Sequence, residues 1–265
     1  MPTLRTGYTS LAAAGYETDL DRGHEYGFDF VELTMNDYDR SLMADEAAAF
    51  RRIAAANDLD LVVHLPFGGD DLAVGSGDAA TREASVAELQ ACLRAAGAVD
   101  AEKAVLHVES SGDATHLIDD GRLEALVEAF EALDAVASEC GVELCVENML
   151  RRPPRLEDLA ALLERTALSL AVDTGHARCN GRDDAETAAF VADHADAVSH
   201  FHLNDTRGPE DEHLPFGAGT VDFERILGAL PADWTGTLTL EITTPSYDYI
   251  EFSRRKLAET IDAVA

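Results

Sequence analysis

Six short apolar runs along the chain end in, or lead directly into, a side chain that can bind a divalent metal. Because a lone His, Asp or Glu is costly to bury without a partner, such an ending needs an explanation. Six of them, all at the same end of a run, predict one shared polar site at the mouth of a barrel. The six side chains are His64, His107, Glu147, Asp173, His202 and Glu241.

Four of these side chains would form the core of a metal site. If Glu147, Asp173, His202 and Glu241 converge, three carboxylates crowd one imidazole, and their like charges repel unless some are protonated. A divalent cation removes the conflict, and this mixture of oxygen and nitrogen donors suits Zn, Mn, Co or Mg. Each side chain taken alone has a plainer explanation, as a satisfied structural histidine or as an ion-pair partner.

Five further residues could extend this core into a multinuclear cluster. Two of them, His64 and His107, come from the third and fourth predicted strands, and the other three lie in predicted loops. The simpler alternatives are that His176 contacts substrate and that Asp211 is a surface acid. The five are His64, His107, His176, Asp211 and His213.

The elements that must position these residues alternate along the chain. Near-continuous apolar strands between amphipathic helices predict a parallel sheet buried on both faces. Eight such units predict an α/β fold, a closed (β/α)8 TIM barrel, with residues 1–265 as a single domain. A doubly wound open sheet is the alternative, although no Gly-rich phosphate loop follows the first strand. The predicted strands are Thr3–Tyr8, Asp29–Thr34, Leu61–Leu65, Ala104–Glu109, Val142–Glu147, Leu168–Asp173, Ala197–Leu203 and Thr237–Ile242. The predicted helices are Asp19–Tyr26, Asp45–Asn57, Asp78–Gly97, Asp119–Cys140, Leu156–Glu164, Asp183–His194, Asp222–Leu230 and Asp248–Val264.

The charge of the chain indicates its surroundings. A formal net charge of −31 disfavours nucleic-acid partners, because it repels a phosphate backbone. An acidic, lysine-poor surface is also typical of a halophilic protein in a salt-rich cytoplasm. The sequence has neither an export signal nor an apolar run of the roughly 18 residues that a membrane span needs. We therefore expect a cytoplasmic protein without a membrane partner, with a homodimer as the default oligomeric state.

The motifs resemble those of the xylose-isomerase-like TIM barrels, which include sugar-phosphate isomerases and epimerases and the AP endonuclease family 2 (endonuclease IV) enzymes. The resemblance covers essentially the whole chain. It implies one metal ion held by Glu147, Asp173, His202 and Glu241 in an isomerase, and up to three zincs using all nine candidates in an endonuclease. The motifs are His64-Leu-Pro-Phe, Leu106-His107, Val146-Glu147-Asn148, Val172-Asp173-Thr-Gly-His176, His202-Leu-Asn-Asp205, Asp211-Glu-His213-Leu-Pro-Phe-Gly-Ala-Gly219 and Leu240-Glu241.

Two enzymatic functions follow from this resemblance. The first is a metal-dependent isomerase or epimerase of a small sugar or sugar phosphate, which moves a proton through an enediolate with Glu147 and Glu241 as catalytic carboxylates. We expect Glu32, His176 and Arg207 to hold substrate hydroxyl or phosphate groups. The second is a trinuclear-zinc phosphodiesterase that cleaves abasic DNA. It is disfavoured by Gly175 and by Thr206-Arg207, where endonuclease IV has Cys and Ser-Lys. A metal-binding barrel without catalysis is the third alternative.

Overall fold

The fold is a closed parallel barrel, seen in a computed structural model that describes residues 4–11, 14–68, 72–108 and 122–264. Its eight strands pair in chain order, and the barrel closes where the first strand pairs with the eighth, Tyr8 beside Leu240. This closure confirms the (β/α)8 fold and excludes the doubly wound alternative. The strands are β1 Arg5–Thr9, β2 Phe30–Thr34, β3 Asp60–His64, β4 Lys103–Leu106, β5 Glu143–Glu147, β6 Ser169–Asp173, β7 Val198–Leu203 and β8 Thr237–Leu240.

Ten helices surround the barrel in the part of the chain that the structure describes. They are α1 Tyr16–Tyr26, α2 Arg40–Asp45, α3 Ala47–Ala56, α4 Ala79–Ala98, α5 Arg122–Glu139, α6 Leu156–Leu163, α7 Thr174–Cys179, α8 Asp184–Asp193, α9 Phe223–Leu227 and α10 Tyr247–Val264. None of the described helices has the combination of length and apolar composition that crossing a membrane requires.

The predicted elements differ from the observed ones mainly at their ends. The predicted helix Asp45–Asn57 corresponds to α3, whereas α2 was not predicted; Asp39 caps α2, and the chain leaves helical geometry at Glu46 before α3 begins. The segment after Asp173, predicted as a loop, forms the short helix α7. The predicted ends at Thr3, Glu109 and Asp119 lie outside the described residues.

Two apolar regions hold the barrel together. Most of the core lies between the outer faces of the strands and the helices, where side chains such as Phe50 and Phe130 are fully buried. A smaller apolar cluster forms a separate group of fully buried strand residues: Phe30, Val62, Val105, Cys145 and Ala171. These five come from five consecutive strands, β2 to β6, and the interior of a TIM barrel is filled by such strand side chains as a packed core.

Candidate metal centre and cavity

The carboxyl ends of the strands carry the polar residues that the sequence singles out. His64, Glu147 and Asp173 are the last residues of β3, β5 and β6, and His202 lies next to the end of β7. His107 and Glu241 directly follow β4 and β8. Neighbouring strands are in register at this end, with Asp173 beside His202. A parallel barrel therefore brings these residues to one mouth.

Four of them form a tight cluster around one imidazole nitrogen. Donor atoms of Glu147, Asp173, His202 and Glu241 all lie within 4.8 Å of one another. His202 Nδ1 is 3.2 Å from Glu147 Oε1 and 3.4 Å from Glu241 Oε2. Neither His202 Nδ1 nor either carboxylate oxygen of Glu147 has a hydrogen-bond partner, although all three atoms are buried. Buried donor atoms without partners that face each other fit a divalent cation.

Two further groups made up entirely of predicted ligands adjoin this cluster, and another group joins Glu32 to His64 and His202. His64, His107 and Glu147 form one, and Glu147 is also a member of the first cluster. The other is formed by His176, Asp211 and His213, in which Asp211 Oδ2 lies 3.0 Å from His213 Nε2 and 3.5 Å from His176 Nε2. The structure therefore brings all nine predicted ligands into three adjoining groups.

Asp173 both joins the cluster and starts helix α7. Its Oδ1 accepts a hydrogen bond from the backbone N–H of His176 at 2.5 Å, which is an N-cap contact. Its Oδ2 accepts from Asn204 Nδ2 at 2.8 Å. Gly175 leaves room for that amide, because a Cβ atom there would lie 1.8 Å from Asn204 Oδ1. The short helix thus fixes His176 relative to Asp173.

Asn148 and Asn204 support the site, and the sequence-based prediction gave neither of them a role. Asn148 Oδ1 accepts from the backbone N–H of Asp173 at 2.8 Å, and its Nδ2 donates to the carbonyl oxygen of Asp173 at 3.0 Å. Both asparagines are fully buried. The available signal was their position, since Asn148 directly follows Glu147 and Asn204 lies two residues after His202.

A single buried carboxylate, that of Asp205, binds both ends of the loop that carries Asp211 and His213. Asp205 Oδ2 accepts from Gly219 N at 2.7 Å, and its Oδ1 accepts from Thr206 N at 2.9 Å and Val221 N at 3.0 Å. A Cβ atom at Gly219 would lie 2.3 Å from Asp205 Oδ1. The second glycine of the Asp-x-His-x-x-x-Gly-x-Gly motif is therefore required for this close approach.

The cluster perturbs the ionisation of its members in opposite directions. Burial, together with the charges of Glu241 and Glu147, raises the pKa of Asp173 to about 8. Burial alone would also raise the pKa of Glu241, yet His202 and His213 lower it. Against the effect of burial, Glu241 and Asp211 raise the pKa of His213 to about 9. A carboxyl pKa close to neutral pH is expected where several carboxylates crowd together and no cation neutralises their charges.

Beneath the mouth lies a second, fully buried polar group. Glu32 Oε1 lies 2.9 Å from His202 Nε2, and Glu32 Oε2 accepts from Thr239 Oγ1 at 2.7 Å and lies 3.2 Å from His200 Nε2. Glu32 has no exposed surface and does not line the cavity, unlike the substrate-binding role predicted for it. His200 had no predicted role; its signal was its position two residues before His202.

A cavity of about 780 Å³ opens above the donor groups. Its lining includes Glu241, His176, Asp211 and His213 from the site, together with residues that follow β1, β2 and β8. Phe67, 36% exposed, stands at its edge with its ring centroid 4.9 Å from those of His64 and His107. No Lys or Arg belongs to the described lining.

Arg207, also predicted to hold substrate hydroxyl or phosphate groups, is not among the residues that line this cavity. Its side chain is 65% exposed, and its guanidinium forms an ion pair with Glu212 on the same loop. Of the three predicted substrate-binding residues, the structure therefore brings only His176 to the cavity.

The chain is similar to several known proteins. A probable endonuclease 4 of Halobacterium salinarum is 28% identical over 275 residues, covering 92% of this chain and 94% of that protein. An uncharacterized protein of Methanocaldococcus jannaschii is 26% identical over 196 residues, covering 69% of this chain and 64% of that protein, so the match spans less than two thirds of the relative. The crystal structure of a D-tagatose 3-epimerase-like protein superposes with a TM-score of 0.81 at 22% identity, covering 98% of each chain. The sequence pattern of the xylose isomerase-like TIM barrel family matches residues 20–263, and the chain belongs to that family.

Proposed function

We propose that the protein is a divalent-metal-dependent isomerase or epimerase that acts on a small, uncharged sugar. The observation that supports this proposal best is the combination of a carboxylate-rich donor cluster with a cavity whose described lining contains no lysine or arginine. The same chemistry is named for the D-tagatose 3-epimerase-like structure that shares the fold.

Glu241 and Glu147 are the proposed proton carriers. Their carboxylates approach the same atom, His202 Nδ1, from β5 and from the end of β8, three positions apart in the ring of strands. Glu241 reaches the cavity, and its lowered pKa keeps it ionised and able to accept a proton from the carbon beside a carbonyl. Glu147 lies deeper, with its Oε2 2.9 Å from His107 Nε2.

Glu147, Asp173, His202 and Glu241 would hold the cation. A bound divalent metal supplies Lewis-acid polarisation of the substrate carbonyl. His176 and His213, which line the cavity beside Glu241, can donate hydrogen bonds to sugar hydroxyl groups.

The lack of a lysine or arginine in the described cavity lining favours a free sugar over a sugar phosphate. Three carboxylates line the cavity, those of Asp37, Asp211 and Glu241. The one arginine of the loop between β7 and α9, Arg207, is already paired with Glu212. Phosphate sites in TIM barrels usually use the loops after the seventh and eighth strands. Here the loop after β7 contributes Asp211 to the cavity and Glu241 follows β8, and both carboxylates would repel a phosphate dianion.

Solvent exchange of a carbon-bound proton would test the proposal whichever sugar product forms. The protein, loaded with Mn²⁺ or Co²⁺ in D₂O at about 1 M KCl, where the Debye length is about 3 Å, would be incubated with free ketoses and with their phosphates. We expect deuterium to enter free ketoses, D-tagatose among them, beside the carbonyl, with little entering the phosphates.

Glu241→Gln should abolish this exchange, because the amide cannot accept the proton. Glu212→Gln is the matched control, since Glu212 pairs with Arg207 away from the cavity lining, and it should retain exchange. Absence of exchange in all sugars with the metal-loaded wild-type protein would reject the proposal.

A phosphodiesterase is the second candidate, favoured by one specific observation. Glu147 is shared between two donor groups, and a third group adjoins them, so the nine residues could hold more than one ion. Clustered metals can generate hydroxide and clamp a phosphate, and the Halobacterium salinarum relative carries the name of such an enzyme.

Two measurements separate the candidates. About one bound ion per chain together with deuterium exchange supports the isomerase. Three zinc ions, together with cleavage of an abasic-site duplex that Glu147→Gln abolishes, would support the phosphodiesterase and overturn our first choice.

A further inference from the structure

A buried polar group lies on one side of the barrel interior, beneath the metal-binding cluster. The barrel interior that holds the apolar cluster of β2 to β6 also holds Glu32, His200, Thr237 and Thr239 from β2, β7 and β8, of which none is more than 1% exposed. A carboxylate in such a position is costly unless its oxygens are satisfied. Its presence in place of an apolar side chain therefore calls for a function.

Both oxygens of Glu32 have partners. Oε1 faces His202 Nε2 at 2.9 Å. Oε2 accepts from Thr239 Oγ1 at 2.7 Å and faces His200 Nε2 at 3.2 Å, while His200 Nδ1 lies 2.7 Å from Thr237 Oγ1. The carboxylate is thus held through Oε2 by His200 and Thr239 and is directed through Oε1 at the imidazole of His202.

The two nitrogens of His202 differ in their surroundings. Nε2 faces the carboxylate of Glu32, so this nitrogen carries a proton and donates it. Nδ1 faces Glu147 and Glu241 and has no hydrogen-bond partner. A histidine whose far nitrogen donates to a carboxylate presents a lone pair, in a fixed ring orientation, at its near nitrogen.

We infer that Glu32 is a positioning residue that fixes the tautomer and orientation of His202 so that Nδ1 binds the metal ion. Thr239 and His200 hold Glu32 in place for this task. The inference rests on the proposed metal centre and adds to it an outer partner that touches neither the cavity nor the substrate.

Metal affinity tests the inference. Glu32→Gln retains the size of the side chain but replaces one acceptor oxygen with a donor. We expect it to bind Co²⁺ and Mn²⁺ about 10- to 100-fold more weakly than the wild type, the usual effect of losing an outer-shell partner. The affinity would be measured by competition with a chromophoric chelator at about 1 M KCl, which limits long-range charge effects through a Debye length of about 3 Å.

Two companion variants separate positioning from general loss of stability. Asp19→Asn changes an equally buried carboxylate, which accepts from Leu11 N, Tyr38 OH and Tyr247 OH and contacts none of the nine donors; it should keep wild-type metal affinity. Thr239→Val removes one donor to Glu32 and should weaken binding in the same direction, but less than Glu32→Gln. It also serves as the test if Glu32→Gln does not fold.

The Co²⁺ absorption spectrum supplies a readout that a purely structural role would not change. We expect the visible bands of Co²⁺-loaded Glu32→Gln to shift from those of the wild type, and the bands of Asp19→Asn to stay unchanged. Wild-type affinity and spectrum in folded Glu32→Gln, or in Thr239→Val where Glu32→Gln is unfolded, would overturn the inference and leave the metal centre standing. Failure of the wild type itself to bind metal would overturn both.

Discussion

Replacing Gly219 with alanine should unfold the loop that carries Asp211 and His213. The new Cβ atom would lie 2.3 Å from Asp205 Oδ1 and 2.6 Å from the carbonyl oxygen of Thr206. Both distances are far below van der Waals contact, and the second neighbour is backbone, which cannot rotate away. Relief requires the hydrogen bond from Gly219 N to Asp205 Oδ2, now 2.7 Å long, to break.

The expected loss of stability follows from the number of contacts to this carboxylate. Asp205 is 1% exposed and accepts three backbone N–H groups. A hydrogen bond to a charged group contributes about 1.5–3 kcal/mol, so loss of one or two should lower the free energy of unfolding by roughly 2–5 kcal/mol. Binding of metal by Asp211 and His213 should weaken as well, since this loop holds both.

Chemical denaturation at about 1 M KCl, followed by circular dichroism, would measure the effect. Gly208→Ala is the control in the same loop, because a Cβ atom there meets nothing within 4 Å and its φ lies outside the left-handed region. It should leave the free energy of unfolding within about 0.5 kcal/mol of the wild type. A Gly219→Ala protein as stable as Gly208→Ala would refute the explanation of the motif.

Three further predictions concern other parts of the molecule. Asp183→Ala removes the N-cap of α8, where Asp183 Oδ1 accepts from Glu186 N at 2.8 Å, and should cost about 1 kcal/mol in urea unfolding; no change would contradict the capping role. Burial raises the pKa of Glu143, but Lys103 and Ser169 lower it overall. Above the pKa of Glu143 in the unfolded chain, near 4.5, the ionised carboxylate should therefore stabilise the fold. This contribution should disappear as the pH falls further. The stability advantage of the wild type over Glu143→Gln should accordingly shrink in that range, and a constant difference would contradict it. At a free metal concentration of 100 times the Kd, the bound metal should add about 2.7 kcal/mol to the free energy of unfolding, and a chelator should remove this contribution. An unchanged melting temperature after chelation would argue against a bound ion.

The order of strands and helices was predictable because each strand is a short apolar run, whereas the apolar residues of each helix repeat with the helical period. The ends were less predictable, since they depend on single contacts. Asp173 illustrates this: its place at the end of β6 follows from the sequence, whereas its capping of α7 through His176 N depends on the path of the chain after the strand. The split between α2 and α3 at Glu46 likewise has no signal in an alanine-rich stretch.

Glu32 shows what a pattern of strand endings leaves out. Side chains in a strand alternate between its two faces, so residues two apart share a face but occupy successive layers of a barrel. His200 lies two residues before His202, and Glu32 lies two residues before Thr34, which pairs with His64 at the mouth. Both side chains therefore belong one layer below the ligands, where they can contact His202 but not a substrate. Counting back by two from the residue at the mouth in each strand would have predicted that depth from the sequence. The partner that each residue meets across the barrel depends on the stagger of the strands, and no local pattern in the chain specifies it.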